Sequence, residues 1–178
     1  FRQFFLKNTC DTLCYPLYIV FNKCLACGVF PDVWKHANIV PVHKSGSKHD
    51  VATYRPISIL SAFSKLFERL IHNEVYPAIH SFLINEQHGF VKDRSCVSNL
   101  LIFTSHLFEN IDDRQQIDTV YTDFQKAFDK IDHKLLLSKI AYNGIRGDLL
   151  RWFISYITNR TQKVVIDGFE SSSIQVTS

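Results

Sequence analysis

The sequence lacks several features that would place a chain of this size in a common class at once. Its 178 residues contain no methionine, so Phe1 is not an initiator. No apolar run approaches the roughly 18 residues that a membrane-spanning helix requires. The five cysteines are few and odd in number, which argues against a disulfide framework. We therefore expect an excerpt of a longer intracellular polypeptide, open at both ends, with reduced thiols and no membrane partner.

The composition is that of a globular domain with a core. Hydrophobic residues make up 46% of the chain and charged residues 21%, which excludes a disordered chain. The length allows one domain, or one domain and a fragment. The formal net charge is only +3, so a nucleic-acid partner is compatible with the charge but is not indicated by it.

Four of the cysteines occur as a C-x3-C pair followed by a C-x2-C pair, a spacing that a zinc site can use. They also follow the helical period of an apolar stretch that includes Leu13, Leu17 and Phe21, where cysteine serves as a small core residue. The helical pattern favours the core interpretation over zinc for Cys10, Cys14, Cys24 and Cys27.

The order of periodic segments and turn residues predicts the α+β class. We expect a first helix that Asp11 caps and that Gly28 ends after about Cys27. A short strand follows at 37–44, and Pro41 predicts an edge or irregular position for it. The other predicted elements are a flexible basic loop at 45–56, a loop at 85–95, helices over 61–80, 97–110, 125–142 and 149–158, a strand over 118–124, and a hairpin that turns at Asp167-Gly168.

The stretch YTDFQKAFDKIDH, from Tyr121 to His133, contains the candidate metal-binding aspartates. A carboxylate at the end of a strand and just before a helix can hold a divalent cation, since magnesium prefers oxygen ligands. Two-metal phosphoryl transfer needs at least two such carboxylates on facing segments. The spacing alone leaves a structural alternative open, in which Asp123 is a helix N-cap and Asp129 and Asp132 form a solvated face.

Four segments that occur here in one order resemble a known family. They are WKHANIVPVHKSGSKHDVATYRPISIL, SKLFERLIHNEV, NEQHGFVKDRSCVSNLL, and VYTDFQKAFDKIDHKLLLSKI with the later GIRGDLLRWFISYITNRTQKV. Together they look like the fingers and palm of a non-LTR, LINE-type and jockey-like, retrotransposon reverse transcriptase. The resemblance implies the α+β reverse transcriptase fold, with helix-rich fingers and the partial palm of a right-hand polymerase, truncated before motif C and the thumb. It predicts an N-terminal helical segment at 1–35, fingers at 36–116 and partial palm at 117–178.

The resemblance also implies roles for individual residues. Asp123 matches the metal-binding aspartate of motif A and is the predicted catalytic residue. Phe128 matches the aromatic steric gate, whose ring excludes a ribose 2′-OH. Gly89 allows close backbone approach of nucleic acid, and Arg94 is a predicted phosphate contact. The complete predicted nucleotide-binding set is Lys44, Arg55, Phe124, Gln125 and Phe128, and the predicted template or primer contacts are Gln87, Gly89, Phe90 and Arg94.

The same resemblance implies the cofactor and the partners. The cofactor is Mg²⁺, with Mn²⁺ as its substitute. The partners are an RNA template, a DNA primer, dNTPs, and the missing palm and thumb of the same polypeptide. The expected location is the nucleus and the cytoplasm, although no targeting signal is visible in the sequence.

One departure from the family pattern limits the predicted activity. The paired aspartates of motif C do not occur, because the one Asp-Asp pair, Asp112-Asp113, precedes motif A and lies in a polar turn. We therefore expect these 178 residues to be inactive alone. The alternative function is a non-catalytic nucleic-acid-binding remnant of a decayed element. A polymerase of the group II intron or telomerase type shares motif A, but the YRPIS, KLFER and QHGF segments disfavour it.

Overall fold

A computed structural model of the chain describes residues 2–124 and 127–176, without the side chains of Arg2, Gln3 and Phe128. The described residues form two compact units. Residues 2–72 and 129–176 make up the first, and residues 73–128 the second. Helices and strands are both present, as the α+β prediction requires. Within these ranges no helix is long and apolar enough to cross a membrane.

The first unit is built on a small mixed sheet. Strand β1 (His36–His43) pairs antiparallel with β2 (Tyr54–Ile59) and parallel with β3 (Thr161–Ile166). Strand β3 also pairs with the short strands β4 (Phe169–Glu170) and β5 (Ile174–Gln175). The β3–β4 turn is Asp167-Gly168, and both residues have positive φ, as a type I′ hairpin turn requires. The hairpin prediction is therefore confirmed.

The predicted edge position is wrong for the first half of β1, which β2 and β3 flank, but it fits Pro41 itself, which pairs with β2 alone. The parallel ladder to β3 covers only His36–Ile39, so Pro41 lies beyond it. On the other side Pro41 faces Pro56 of β2. Lys44 N donates to Thr53 O, and the alternation from that bonded pair puts the two prolines at a non-hydrogen-bonded pair. Neither proline therefore breaks a ladder hydrogen bond.

The first unit also contains several helices. They are α1 (Arg2–Asn8), α2 (Cys10–Cys27), the first half of α3 (Ala62–His80), α5 (His133–Tyr142) and α6 (Gly147–Ile157). Gly28 ends α2 in the left-handed conformation, with φ of 64°, which confirms the predicted stop. The residue before α2 is Thr9, so Asp11 lies in the first turn and is not the N-cap.

The core of the first unit is a cluster of aromatic rings. Phe30, Phe67 and Trp152 are almost completely buried. Phe21 of α2 stacks on Phe67 of α3 with ring centroids 4.4 Å apart, and Trp152 of α6 stacks on Tyr156 at 5.2 Å. Large rings at helical spacing on three helices bring these helices together, since each buried ring removes much apolar surface from water.

Tyr156 connects this core to a polar network. Burial and the nearby Glu68 carboxylate raise the pKa of the Tyr156 hydroxyl. Glu68 also accepts a hydrogen bond from the buried Ser64 hydroxyl at 2.6 Å. Burial favours the neutral phenol over the phenolate, so the folded state binds this proton more tightly than the unfolded state does.

This raised pKa predicts an alkaline loss of stability. The contribution of Tyr156 to the free energy of unfolding is fully present below the ordinary tyrosine pKa of 10.0. It is lost as the pH rises above that value, because the unfolded chain releases the Tyr156 proton at a lower pH than the folded chain does. We expect Tyr156→Phe to lose less stability than the wild type between pH 10 and 11. Urea unfolding across this range measures the effect. Tyr142→Phe is the control, since Tyr142 is 88% exposed, and an equal change in both variants would contradict the prediction.

The second unit holds the end of α3, a loop over residues 81–95, helix α4 (Cys96–Asp112) and the segment that leads to Asp123. Ser95 caps α4 in a capping box with Ser98. The helix therefore begins one residue before the predicted start at Val97. Asp112 is its last residue and Asp113 its C-cap, so the helix ends two residues after the predicted end at Asn110, and only Asp113 of the pair lies in the expected turn.

Several predicted elements differ from the structure. The predicted strand over 118–124 is wrong, because the segment has no regular secondary structure and no ladder partner among the described residues. The predicted helix from 125 is also wrong in its start: Phe128–Lys130 is a 3-10 turn, and α5 begins at His133 after the N-cap Asp132. Helix α1 lies inside the helical segment predicted at 1–35, although its own bounds were not predicted, and strand β2 was missed entirely.

The cysteine prediction is wrong in part. All four residues lie on or at the end of α2, but Cys10, Cys14 and Cys27 are exposed and only Cys24 is half-buried. Burial, followed by the nearby Cys27, raises the pKa of the Cys24 thiol. In the part of the chain that the structure describes, no group of three His, Cys, Asp or Glu side chains is placed to hold a metal ion.

Candidate nucleotide and template site

The predicted site residues are divided between the two units. Lys44 and Arg55 belong to the first unit. The second contains Asp123, Phe124 and the four predicted template contacts. Gln125 lies outside the described residues, and Phe128 is described only by its backbone, which begins a 3-10 turn.

In the first unit, the β1–β2 hairpin brings Lys44 and Arg55 together. Arg55 pairs with Val42, and directly opposed residues share one face of a sheet. Lys44 follows Val42 by two positions and continues the ladder through its hydrogen bond to Thr53 O at 2.9 Å. The side-chain alternation of a strand therefore directs both cations to the same face, where both are exposed.

Beside Lys44 and Arg55, this face of the hairpin carries the polar residue Asn38 and a group of apolar side chains. Four branched side chains lie on it, at positions that alternate with the buried Ala37 and Ile39. Each of the four is between 39% and 48% exposed, and they are Val40, Val42, Ile57 and Ile59. A flat apolar surface that ends in two cations suits a ligand with both an apolar and an anionic part.

The loop that joins the two strands is held by its own hydrogen bonds. The Thr53 hydroxyl donates to Asp50 O at 2.6 Å, and the Tyr54 hydroxyl donates to Lys48 O at 3.0 Å. Asp50 accepts from Ala52 N at 2.9 Å. The predicted flexible loop over 45–56 is therefore an ordered connection, and its last three residues belong to β2.

In the second unit, Asp123 lies in an exposed extended segment. Its neighbours Tyr121 and Phe124 are 82% and 83% exposed. The Tyr121 ring contacts Phe103 of α4 edge-on, with centroids 6.2 Å apart. An exposed carboxylate can offer both oxygens to a hard cation such as Mg²⁺, so Asp123 fits the role of one ligand.

Asp132, the third aspartate of this stretch, caps a helix. Asp132 is the N-cap of α5 and accepts from Leu135 N at 3.0 Å. Hydrogen bonds from the backbone of Leu135 and Lys134 lower the pKa of the Asp132 carboxyl. The structural alternative assigned the N-cap to Asp123 and a solvated face to Asp132, whereas in the structure Asp132 is exposed and is itself the N-cap.

The four predicted template contacts lie in one loop, from 84 to 95. Gln87 Nε2 donates to Gly89 O at 2.9 Å, and Arg94 Nη1 lies within hydrogen-bond distance of the carbonyl oxygens of Ile84, Asn85 and Gln87. Phe90 is 92% exposed. Sequence reasoning missed the contribution of His88, which is buried and contacts Ser98 Oγ through Nδ1 at 2.9 Å.

Comparison with known proteins identifies the class. Residues 42–175 match the family described as reverse transcriptase (RNA-dependent DNA polymerase). The match covers well over half of the chain, so this chain belongs to the reverse transcriptase family. The family generally uses divalent metal ions and acts on a nucleic-acid template and primer.

The similar proteins belong to non-LTR mobile elements, which confirms the resemblance. The probable RNA-directed DNA polymerase from transposon BS of Drosophila melanogaster is 37% identical over 127 residues, or 70% of this chain and 14% of that protein. The RNA-directed DNA polymerase from mobile element jockey of the same species is 34% identical over 163 residues, covering 88% and 17%. The chain thus spans 14–17% of the length of these two relatives.

Proposed function

We propose that this chain forms the fingers and part of the palm of an RNA-directed DNA polymerase, with 1–35 as a helical lead-in, 36–116 as fingers and 117–178 as partial palm. The parent enzyme extends a primer 3′-OH on an RNA template during retrotransposition. The hydroxyl attacks the α-phosphate of a dNTP, and pyrophosphate leaves. The proposed sites of action are the nucleus and the cytoplasm.

The observation that carries this proposal is the shared face of Lys44 and Arg55. A dNTP has an apolar base and sugar and a highly charged triphosphate. Arg55 can contact phosphate oxygens in a bidentate manner, while Lys44 supplies a point charge. The apolar side chains behind them provide a surface for the uncharged part of the nucleotide. The composition of this face therefore matches the two chemical parts of the substrate.

Asp123 is proposed as the ligand that this chain contributes to Mg²⁺, with Mn²⁺ as its substitute. When bound, the metal neutralises charge on the phosphates of the nucleotide. Phe124 and Gln125 follow this carboxylate and are proposed to line the triphosphate with their backbone. Phe128 is proposed to exclude the ribose 2′-OH by a steric clash.

Primer extension on an RNA template in Mg²⁺ tests the proposal. Three proteins are compared: this chain, the jockey polymerase, and the jockey polymerase with its matching segment replaced by residues 42–175. We expect the chimera to extend the primer and this chain alone to be inactive, because no Asp-Asp pair of the motif C kind follows Asp123 in it. A folded, inactive chimera, beside active jockey polymerase, would contradict the proposal, and RNA binding without extension would favour the non-catalytic alternative.

The template contact at Gly89 gives a prediction that separates folding from binding. A Cβ added to Gly89 would meet only Gln87 Nε2, at the ordinary distance of 3.7 Å, and its φ is not left-handed. We therefore expect Gly89→Ala to change stability by less than about 0.5 kcal/mol. If nucleic acid approaches this backbone closely, RNA affinity falls about tenfold, which corresponds to roughly 1.4 kcal/mol.

Urea unfolding and a fluorescence titration with a short single-stranded RNA measure the two effects of Gly89→Ala. Gly168→Ala is the control for RNA affinity: a Cβ there meets no atom within 4 Å, but the φ of 85° makes alanine strained, so this variant should lose stability and keep the wild-type RNA affinity. Unchanged RNA affinity in Gly89→Ala would show that the template does not approach this glycine.

A further inference from the structure

The loop over residues 84–95 contains two strained backbone positions. Phe90 and Asp93 both have φ of 61°, in the left-handed region that residues with a Cβ adopt rarely. Such conformations cost free energy and persist only where the surrounding structure holds them. Contacts within the second unit must therefore hold the loop in this conformation.

Arg94 supplies a central part of these contacts. Its Nη1 lies 2.5 Å from Asn85 O, 2.7 Å from Gln87 O and 3.3 Å from Ile84 O. The side chain is half-buried. A charged donor makes stronger hydrogen bonds to carbonyl oxygens than a neutral donor does. One guanidinium nitrogen thus fixes the beginning of the loop against its end.

Other contacts fix the loop to the two helices of this unit. Lys92 N donates to the Tyr76 hydroxyl of α3 at 2.9 Å. His88 contacts Ser98 of α4 at 2.9 Å, and the Val91 side chain is buried. The backbone between these anchors, at Gly89 and Phe90, is held by groups on both sides of it.

We propose that Arg94 is a positioning residue for the template and does not contact a phosphate. Its Nη1 is occupied by the carbonyl oxygens of its own loop, and the consequence is a preformed backbone surface at Gly89 and Phe90. A preformed loop loses less conformational entropy on binding, so RNA binds more tightly. This inference rests on the proposed function, because it assigns the loop surface to template RNA.

Hydrogen exchange of the 178-residue chain, without nucleic acid, tests the first half of the proposal. Arg94→Ala is expected to accelerate exchange of the Gln87, Val91 and Lys92 amides at least about tenfold, since hydrogen bonds from a charged donor are lost. Lys92→Ala is the matched control, because it removes an exposed charge from the same loop while its backbone amide still donates to Tyr76. Unchanged exchange in Arg94→Ala would overturn the proposal.

A titration with short single-stranded RNA at several salt concentrations tests the second half. We expect Arg94→Ala to weaken binding about tenfold with an unchanged slope of log Kd against log salt concentration. A lost phosphate contact would instead reduce that slope by about 0.7, the value for one charge on a single strand, and would overturn the proposal.

Two further comparisons cover the cases in which Arg94→Ala does not fold or the wild-type chain binds no RNA. Arg94→Lys retains the charge but has a shorter side chain without the planar fork, so it serves if Arg94→Ala does not fold. Positioning predicts accelerated exchange and weaker binding in Arg94→Lys, whereas wild-type values of both would overturn the proposal. If the wild-type chain binds no RNA, the proposed function fails and the template role fails with it, while the exchange data still show whether Arg94 holds the loop.

Discussion

Replacing Asp123 by asparagine is expected to lower primer extension by the chimeric polymerase on the order of a thousandfold. An amide carries no charge and binds Mg²⁺ much more weakly than a carboxylate does. Metal ions contribute several kcal/mol to the stabilisation of charge in phosphoryl transfer, and each 1.4 kcal/mol corresponds to a factor of about ten in rate. The exposure of this segment means that the change removes no buried contact of Asp123.

Single-turnover primer extension in Mg²⁺ measures the effect of Asp123→Asn. Asp118→Asn is the matched control, because Asp118 lies in the same exposed segment and its carboxylate accepts a hydrogen bond from Gln116 Nε2, at 3.1 Å. RNA affinity should remain at the wild-type value in both variants. A rate for Asp123→Asn within a factor of about ten of the wild type would show that this aspartate is not the metal ligand.

Replacing Gly28 by alanine is expected to destabilise the first unit by about 2–5 kcal/mol. The left-handed conformation costs a residue with a Cβ roughly 1–2 kcal/mol. The new Cβ would also lie 2.5 Å from Arg151 Cβ and 3.2 Å from Asp148 O, both in α6. Since Arg151 Cβ belongs to the rigid base of a helical side chain, the ends of α2 and α6 would have to separate, and overpacking of this kind costs about 1–3 kcal/mol.

Urea unfolding of Gly28→Ala and Gly144→Ala separates the two contributions. Gly144 also has a positive φ, of 91°, but a Cβ there meets no atom within 4 Å. The control should therefore lose only the backbone contribution, and the difference between the variants reports the collision with Arg151. Equal destabilisation of both variants would show that α2 and α6 adjust without cost.

The elements that could be predicted from the sequence are those whose ends depend on local chemistry. Gly28 ends α2 because only glycine adopts its φ at no cost, and Asp167-Gly168 is a turn pair wherever it occurs between strands. The helix over 62–80 follows from its apolar period, and Phe67 and Ile71 of that period are buried.

The elements that could not be predicted depend on partners distant in the sequence. Strand β2 forms because β1 pairs with it. It was not predicted, because Pro56 within it is a residue type that disfavours strands. Conversely, Val120 is a residue type that favours strands. Its segment has no ladder partner among the described residues, so no strand forms there. The hydrogen bonds of Arg94 could not be predicted either, since its acceptors are backbone carbonyl oxygens, which every residue carries. Motif resemblance still provides the only assignment for Gln125 and Phe128.

The facing prolines of the β1–β2 hairpin have a consequence for strand alignment. If the strands slipped by one residue, Pro41 or Pro56 would turn its nitrogen toward the partner strand and leave a carbonyl oxygen without a donor. The same slip would move Arg55 to the opposite side of the sheet from Lys44, because side chains alternate with every residue. Two residues that can donate no ladder hydrogen bond thus fix the alignment of the strands, and the pairing that they select keeps both cations beside one another.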